Sequence, residues 1–181
     1  MQEPGSGRFQ RGHAAGVPDA TTPTEATTFE TLAEEFGDGA PPVAILTASP
    51  EERDRMWDAE EELRNRGIDF ETFIVSANIN APRLVRFTET AAMRGVRVII
   101  VTAGIASALP VLVASSTDLP VIGVPLATGP LGGIDTLLAA SQTPPGVPVA
   151  CMGIGGTRNS AVLASRILTA MPLPPPKVQR D

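Results

Sequence analysis

The sequence predicts a doubly wound α/β domain built on a five-stranded parallel sheet. Short apolar runs alternate with segments of helical periodicity, which makes five strand–helix units in succession. The runs are continuously apolar, as in VAILTA at 43–48, and a sheet covered by helices on both faces requires this. Such units connect by right-handed crossovers, and the strand order that we expect is 2-1-3-4-5.

The first unit has the clearest helix boundary. After the strand at 43–48, Ser49 can cap a helix, Pro50 suits the first helical position, and Glu52 completes a capping box. Gly67 then closes the helix, because glycine tolerates the left-handed backbone found at helix ends. The sequence therefore predicts one helix between Ser49 and Gly67.

The other four units repeat the pattern, with strand before helix. They are FETFIVSA and PRLVRFTETAAMRG, VRVIIVTAG and ALPVLVASST, PVIGVP and GIDTLLAASQ, and VPVACMGI and NSAVLASRILTAM. In the expected order, successive strands are added on one side of the first strand and then on the other, so the order reverses between the first and third strands. Ligands bind beyond the carboxyl ends of the strands at such a switch point. Loops 47–50 and 102–107 flank that point, with 76–81 beside them.

The chain divides into a central domain and two tails. Residues 1–40 are rich in Gly, Pro, Thr and Ala, which predicts disorder or partial helix. Residues 41–171 form the α/β domain, long enough to bury a substantial core. Residues 172–181 make a proline-rich tail that cannot continue a helix.

Composition excludes several classes of function. The net charge of −6 and the pI near 4.8, with no Lys/Arg cluster, argue against a nucleic-acid partner. No apolar run reaches the roughly 18 residues that a membrane span needs, so we expect no membrane partner and a cytoplasmic protein. Cys151 is the single cysteine and His13, in the first tail, the single histidine. These counts exclude an internal disulfide, and no metal site or Ser-His-Asp catalysis is expected in the domain.

Each loop at the expected site has an ordinary structural explanation beside a functional one. Ser49 either caps a helix or also holds a ligand. Asn78 and Asn80 are common turn residues, although their amides can orient a substrate. The small residues of 102–107 suit a tight turn, and they also let a ligand approach the backbone. The glycine-rich segment 126–137 matches neither the P-loop nor the dinucleotide fingerprint.

Three further residues have simpler interpretations. Trp57 is expected on a helix surface or at an interface. Cys151 lies in an apolar strand and is expected to be an inert, buried thiol. Arg158 lies near a helix start, where solvation and anion binding are both plausible roles.

Taken together, four segments resemble the aminoimidazole ribonucleotide carboxylase/mutase (PurE) family of purine biosynthesis. They are ETAAMRGVRVIIVTAG, LPVIGVP, GIDTLL and QTPPGVPVACMGIGG, within a gapless match from Val43 to about Leu168. The resemblance implies a flavodoxin-like three-layer sandwich, assembled as a homo-octamer with active sites at subunit junctions. It implies a ribonucleotide substrate, carbon dioxide or bicarbonate as a partner, and no cofactor. In that family a carboxylate moves from an exocyclic nitrogen to a ring carbon while a histidine handles the proton.

The ligand loops depart from the family pattern. The family's M-G-S-x-S-D reads TASPEE here, so that Glu51 replaces a serine and Glu52 an aspartate. The family's S-A-H-R-T-P reads SANINA, so that Asn78 replaces the histidine, and Ile79 replaces the arginine associated with the nucleotide phosphate. The histidine of the third loop is Ala108.

From these losses we predict a divergent, cofactor-free carboxylase or decarboxylase that transfers a carboxylate through carbon dioxide. Its expected substrate is a small heterocycle or a carbamate-like compound of specialised metabolism. Two alternatives stay open. One is a non-catalytic ligand-binding or assembly homologue, and the other is an orthodox carboxyaminoimidazole ribonucleotide mutase.

The predicted catalytic residues are Asn78, which would orient the reacting carboxylate, and Glu52 or Glu51, which would act as the base if burial raised its pKa. Predicted substrate-binding residues share a position at the carboxyl ends of the first three strands. They are Ser49, Ser76, Asn80, Thr102, Ala103, Gly104 and Ser107.

Overall fold

The five predicted strands form a single parallel sheet in the order β2-β1-β3-β4-β5, as the sequence predicts. The computed structural model describes residues 39–75, 81–104 and 108–170. The strands are β1 (Val43–Thr47), β2 (Phe70–Ile74), β3 (Val98–Ala103), β4 (Val121–Pro125) and β5 (Ala150–Cys151).

Helices cover both faces of this sheet. The described helices are α1 (Pro50–Asp54), α2 (Trp57–Asn65), α3 (Ala81–Arg94), α4 (Leu109–Ser115), α5 (Ile134–Ser141) and α6 (Thr157–Ala170). None of the helices in the described part of the chain has both the length and the apolar character needed to span a bilayer.

The side chains of β1 show how the sheet is buried on both sides. Ala44 and Leu46 pack with Phe87 of α3 in one core, whereas Val43 and Ile45 pack with residues of α2 and α6 in the other. All five residues are fully buried. The continuous apolar run in the sequence follows from this arrangement, because alternate side chains of a strand point to opposite faces and both faces are covered.

Two elements differ from the prediction. The helix expected between Ser49 and Gly67 is divided into α1 and α2, because the N–H groups of Arg55 and Met56 donate to carbonyls three residues earlier, at 3.2 and 2.9 Å, and this tightens the chain. The last strand is also shorter than VPVACMGI. Pro148 has no N–H to donate to a neighbouring strand, and only Ala150 and Cys151 remain paired with β4.

Candidate functional site

A cleft of about 400 Å³ opens at the carboxyl ends of β1 and β4. This is the edge of the sheet where the strand order reverses around β1 and β3, and it is where ligands bind in such folds. The residues that line the cleft are Ser49, Glu51, Glu52, Arg55, Ala127 and Thr128. The cleft therefore unites the loop after β1 with the loop after β4, beside Gly104 at the end of β3.

Ser49 begins α1 as predicted. Its backbone is extended, with φ −151° and ψ 165°, and its hydroxyl oxygen accepts a hydrogen bond of 3.3 Å from the backbone N–H of Glu52. Pro50 occupies the start of the helix. The structural interpretation of Ser49 is thus confirmed, and its side chain still borders the cleft.

The carboxylate of Glu52 does not close the predicted capping box. Its Oε2 accepts a hydrogen bond of 3.1 Å from the backbone N–H of Ala48, one residue before the cap, and another from the hydroxyl of Thr102 on β3. The carboxylate reaches further inward than a capping box requires because Thr102 offers a buried donor there. With the residue only 8 % exposed, Glu52 is an acidic group built into the floor of the cleft.

Gly104 makes room for that carboxylate. A Cβ atom added at position 104 would overlap Oε1 of Glu52 and would lie 3.6 Å from Oγ1 of Thr128. Gly104 therefore lies between the two sides of the cleft, and its lack of a side chain leaves the space that the Glu52 carboxylate occupies.

Glu51 differs from Glu52 in both position and electrostatics. Its side chain is exposed on the rim of the cleft. Hydrogen bonds from the Ser49 hydroxyl and from its own backbone N–H lower its pKa below the ordinary glutamate value. The expectation that burial raises the pKa is therefore wrong for Glu51, which is poorly suited to accept a proton near neutral pH. Glu52 is the stronger candidate base on geometry.

Thr102 and Ala103 lie below the cleft and do not line it. Both side chains are fully buried, and the hydroxyl of Thr102 donates a hydrogen bond to the Glu52 carboxylate. The carbonyl of Ala103 accepts a hydrogen bond of 2.9 Å from the backbone N–H of Leu126, which ties the end of β3 to the loop after β4. In this structure these two residues support the site, and neither side chain is accessible to a ligand.

Four predicted site residues fall outside the described part of the chain. They are Ser76, Asn78, Asn80 and Ser107. Their assignments stay predictions.

Three lining residues were not found by sequence reasoning: Arg55, Ala127 and Thr128. The hydroxyl oxygen of Thr128 is buried without a hydrogen-bond partner among the described residues, which makes it available to a bound molecule. The glycine-rich loop that contains Thr128 was visible in the sequence, but nothing local showed that it faces the loop after β1. No sequence pattern around Arg55 indicated that it belongs to the site, because only the break between α1 and α2 places it at the cleft.

The remaining singled-out residues have structural roles. Trp57 is 61 % exposed on α2, as predicted, with the Arg64 guanidinium 5.6 Å from its ring centre. Cys151 is half-buried, and burial raises the pKa of its thiol, which disfavours the reactive thiolate. Arg158 is exposed and lies 3.7 Å from Glu61, so the solvated role fits it.

Two further observations bear on the site. A larger cavity of about 590 Å³, bordered by Glu89 of α3 and Asp118, lies at the amino-terminal end of β4, and it contains none of the predicted site residues. Within residues 39–75, 81–104 and 108–170, no three acidic, cysteine or histidine side chains come together as a metal site would require.

Comparisons with known proteins agree with the fold. A family model described as AIR carboxylase matches residues 42–173. The chain is 46 % identical over 128 residues to an N5-carboxyaminoimidazole ribonucleotide mutase of Saccharolobus solfataricus, a match that covers 71 % of this chain and 81 % of the relative. It is 44 % identical over 128 residues to a protein of the same name from Thermotoga maritima, covering 71 % and 75 %. The crystal structure of Treponema denticola PurE superposes with a TM-score of 0.64 at 26 % identity, covering 70 % of this chain and 79 % of that one.

Proposed function

The chain belongs to the AIR carboxylase family, whose members are enzymes of lyase or mutase type, and on this premise we propose that it transfers a carboxylate on a 5-aminoimidazole substrate. The observation that carries this proposal is the 46 % identity to a mutase over 128 residues, together with a family match at 42–173 that includes all five strands and the residues lining the cleft. The relative's printed name specifies N5-carboxyaminoimidazole ribonucleotide, which is the first substrate to test.

The proposed reaction is an isomerisation through carbon dioxide. The bond between the exocyclic nitrogen and the carboxylate breaks, the electron pair returns to nitrogen, and carbon dioxide is released in the cleft. The electron-rich ring carbon then forms a bond to carbon dioxide. That carbon gives up its proton to a base, and the nitrogen gains one, so atoms and charge balance without a redox partner.

We assign the proton acceptor to Glu52. Its Oε2 takes the hydrogen bonds from Ala48 and Thr102, while Oε1 faces the space over Gly104. Two donors fix the carboxylate in one orientation, which favours proton transfer at a defined position. Among the described lining residues Glu51 is the other acid, and its lowered pKa and its exposed position on the rim suit it poorly to accept a proton.

Asn78 and Ser76 complete the proposal as orienting groups. A carboxamide cannot carry a proton near neutral pH, so Asn78 would hold the reacting carboxylate by hydrogen bonds and leave the proton to Glu52. Loop 103–107 would line the pocket for carbon dioxide, since most of its residues are small.

The test is a rate assay on N5-carboxyaminoimidazole ribonucleotide, and on 5-aminoimidazole ribonucleotide with bicarbonate. Glu52→Gln is expected to lower kcat by about 10²-fold or more, since a positioned base contributes about 10²–10⁴-fold. Glu51→Gln is the matched control on the same helix and is expected to stay within about threefold of the parent, because its charge lies on the rim. Unchanged turnover in both Glu52→Gln and Asn78→Ala would remove the assigned site.

A second candidate is the same carboxylate transfer on a heterocycle without the ribonucleotide phosphate, in specialised metabolism. Ile79 in place of the family arginine and the lack of histidine beyond His13 favour it. Turnover of aminoimidazole or its ribonucleoside in preference to the ribonucleotide would support it. Rescue of a purine auxotroph would instead support the orthodox mutase, and tight binding in calorimetry without any turnover would support a non-catalytic homologue.

We also propose that copies of the chain assemble, as an octamer if the family's arrangement holds. Four apolar side chains on and beside α5 are exposed, and in this proposal they form an apolar patch that contacts another copy of the chain. They are Leu131, Ile134, Leu138 and Ile154. Light scattering of the purified protein measures the assembly, and a monomeric mass at micromolar concentration would contradict it. A cytoplasmic location remains a prediction of the sequence.

A further inference from the structure

The charged side chains that line the cleft differ in whether they have hydrogen-bond partners. The lining side chains include two carboxylates, Glu51 and Glu52, and one guanidinium, Arg55. Glu52 is turned inward to the Ala48 N–H and the Thr102 hydroxyl, and Glu51 accepts a hydrogen bond from Ser49. Both acids therefore have donors of their own that do not come from Arg55.

Arg55 is held at the cleft by its backbone. It ends α1, and its N–H donates to the carbonyls of Glu52 and Arg53. Its side chain is exposed, and it forms no hydrogen bond or ion pair with any residue of the described segments. By contrast, Arg64, Arg66 and Arg158 each lie within 4 Å of a glutamate carboxylate on α2. Arg55 is the one guanidinium among the described lining residues, and it is placed to meet a molecule in the cleft.

This position matters because the second loop has Ile79 where the resembled family has the arginine associated with the nucleotide phosphate. An isoleucine offers no charge and no donor to an oxyanion. A guanidinium presents a planar fork of N–H groups that matches two oxygens of a phosphate. The cleft can therefore still hold a phosphorylated substrate if another residue supplies the cation.

We propose that Arg55 is the specificity-determining residue that binds the phosphate monoester of the substrate, in place of the missing arginine of the second loop. This inference rests on the proposed function for the identity of the substrate, a ribonucleotide, and it adds the residue that binds the phosphate. The rim carboxylate of Glu51 opposes a phosphate nearby. The contribution of Arg55 is therefore expected at the low end for a charged hydrogen bond, about tenfold in affinity.

The experiment measures equilibrium binding by calorimetry with two probes, 5-aminoimidazole ribonucleotide and the corresponding ribonucleoside, which lacks the phosphate. The variants are Arg55→Gln and the matched control Arg53→Gln. Arg53 is exposed on the same helix but does not line the cleft. Arg55→Gln is expected to weaken ribonucleotide binding about tenfold and to leave ribonucleoside binding unchanged, whereas Arg53→Gln changes neither.

Every other outcome overturns the inference. Wild-type protein that binds the two probes equally, or binds neither, has no phosphate site at Arg55. Equal losses for both probes in Arg55→Gln would mean a general structural role, and equal losses in Arg53→Gln and Arg55→Gln would mean a non-specific effect of net charge. The result is separate from that of the proposed function, since phosphate-dependent binding through Arg55 without turnover would sustain this inference and remove the reaction.

Discussion

Replacing Gly104 with alanine tests whether the cleft is built around the Glu52 carboxylate. The added Cβ would occupy the position of Oε1 of Glu52, so the carboxylate or the end of β3 must move. The backbone at Gly104 does not have a positive φ, so an alanine brings a steric conflict without backbone strain. Ejecting the carboxylate would leave the Ala48 N–H and the Thr102 hydroxyl without their acceptor.

The cost follows from those two groups. A buried donor without a partner costs about 1–3 kcal/mol, and a methyl group forced into a packed site costs a similar amount. Because these costs overlap when the side chain relaxes, we expect Gly104→Ala to lower the free energy of unfolding by about 2–4 kcal/mol. For a folded domain of this size the melting temperature should fall by about 6–16 °C.

The assay is urea unfolding at one fixed protein concentration, in a double-mutant cycle with Glu52→Ala. Removing the carboxylate removes the conflict, so Gly104→Ala should cost less than about 1 kcal/mol in the Glu52→Ala background. Gly153→Ala is the control, because a Cβ at Gly153 meets no atom within 4 Å. An equal cost of Gly104→Ala in both backgrounds, or no cost in the parent, would refute the packing of Glu52 against Gly104.

Three further predictions concern the core, its buried ion pair and the apolar patch. Phe87→Ala removes a fully buried ring whose centre lies 5.1 Å from that of Phe73, and it should lower the free energy of unfolding in urea by about 3–5 kcal/mol. A loss below about 1 kcal/mol would contradict this packing. Burial outweighs the nearby Arg94 and raises the pKa of Glu71, so the folded state binds this proton more tightly than the unfolded state does. The stability of the parent relative to Glu71→Gln should therefore be greatest below about pH 4.3, the ordinary glutamate pKa, and should decline as pH rises through the raised pKa of Glu71. A relative stability that increases with pH would contradict this prediction. Leu138→Asp, on the exposed face of α5, should reduce the mass seen by light scattering and leave secondary structure intact, and an unchanged mass would place the subunit contact elsewhere.

Much of the fold was predictable because its signals are local. The apolar run from Val43 marked a strand buried on both faces, and Ser49 with Pro50 marked a helix start that the structure confirms. The break at Arg55 and Met56 was not predictable, since Met56, Ala59 and Leu63 keep a helical spacing and no glycine or proline lies between Pro50 and Gly67. The shortness of β5 has one cause that the sequence contains, Pro148 with its missing N–H, and one that it does not, the position of β5 at the sheet edge with β4 as its single neighbour.

The candidate site was predictable in position and less so in composition. The loops after β1 and β3 were expected at the switch point, and the structure brings Ser49, Glu52 and Gly104 together there. The sequence did not separate Glu51 from Glu52, although they are adjacent. The side chain of Glu51 points to the rim, whereas that of Glu52 turns under the cleft because the Thr102 hydroxyl on β3 donates a hydrogen bond to it.

The sequence by itself determined the order of the elements, the burial of the central strands and the membership of the family, because periodicity, capping and motif identity are written along neighbouring residues. Only the tertiary structure decided that Glu52 lies under the cleft and that Arg55 and Thr128 line it. The hydroxyl that holds Glu52 is 50 residues further along the chain, and Thr128 follows a different strand. A side chain's partner and its solvation depend on which distant segments the sheet places side by side, and this is the information that local patterns lack.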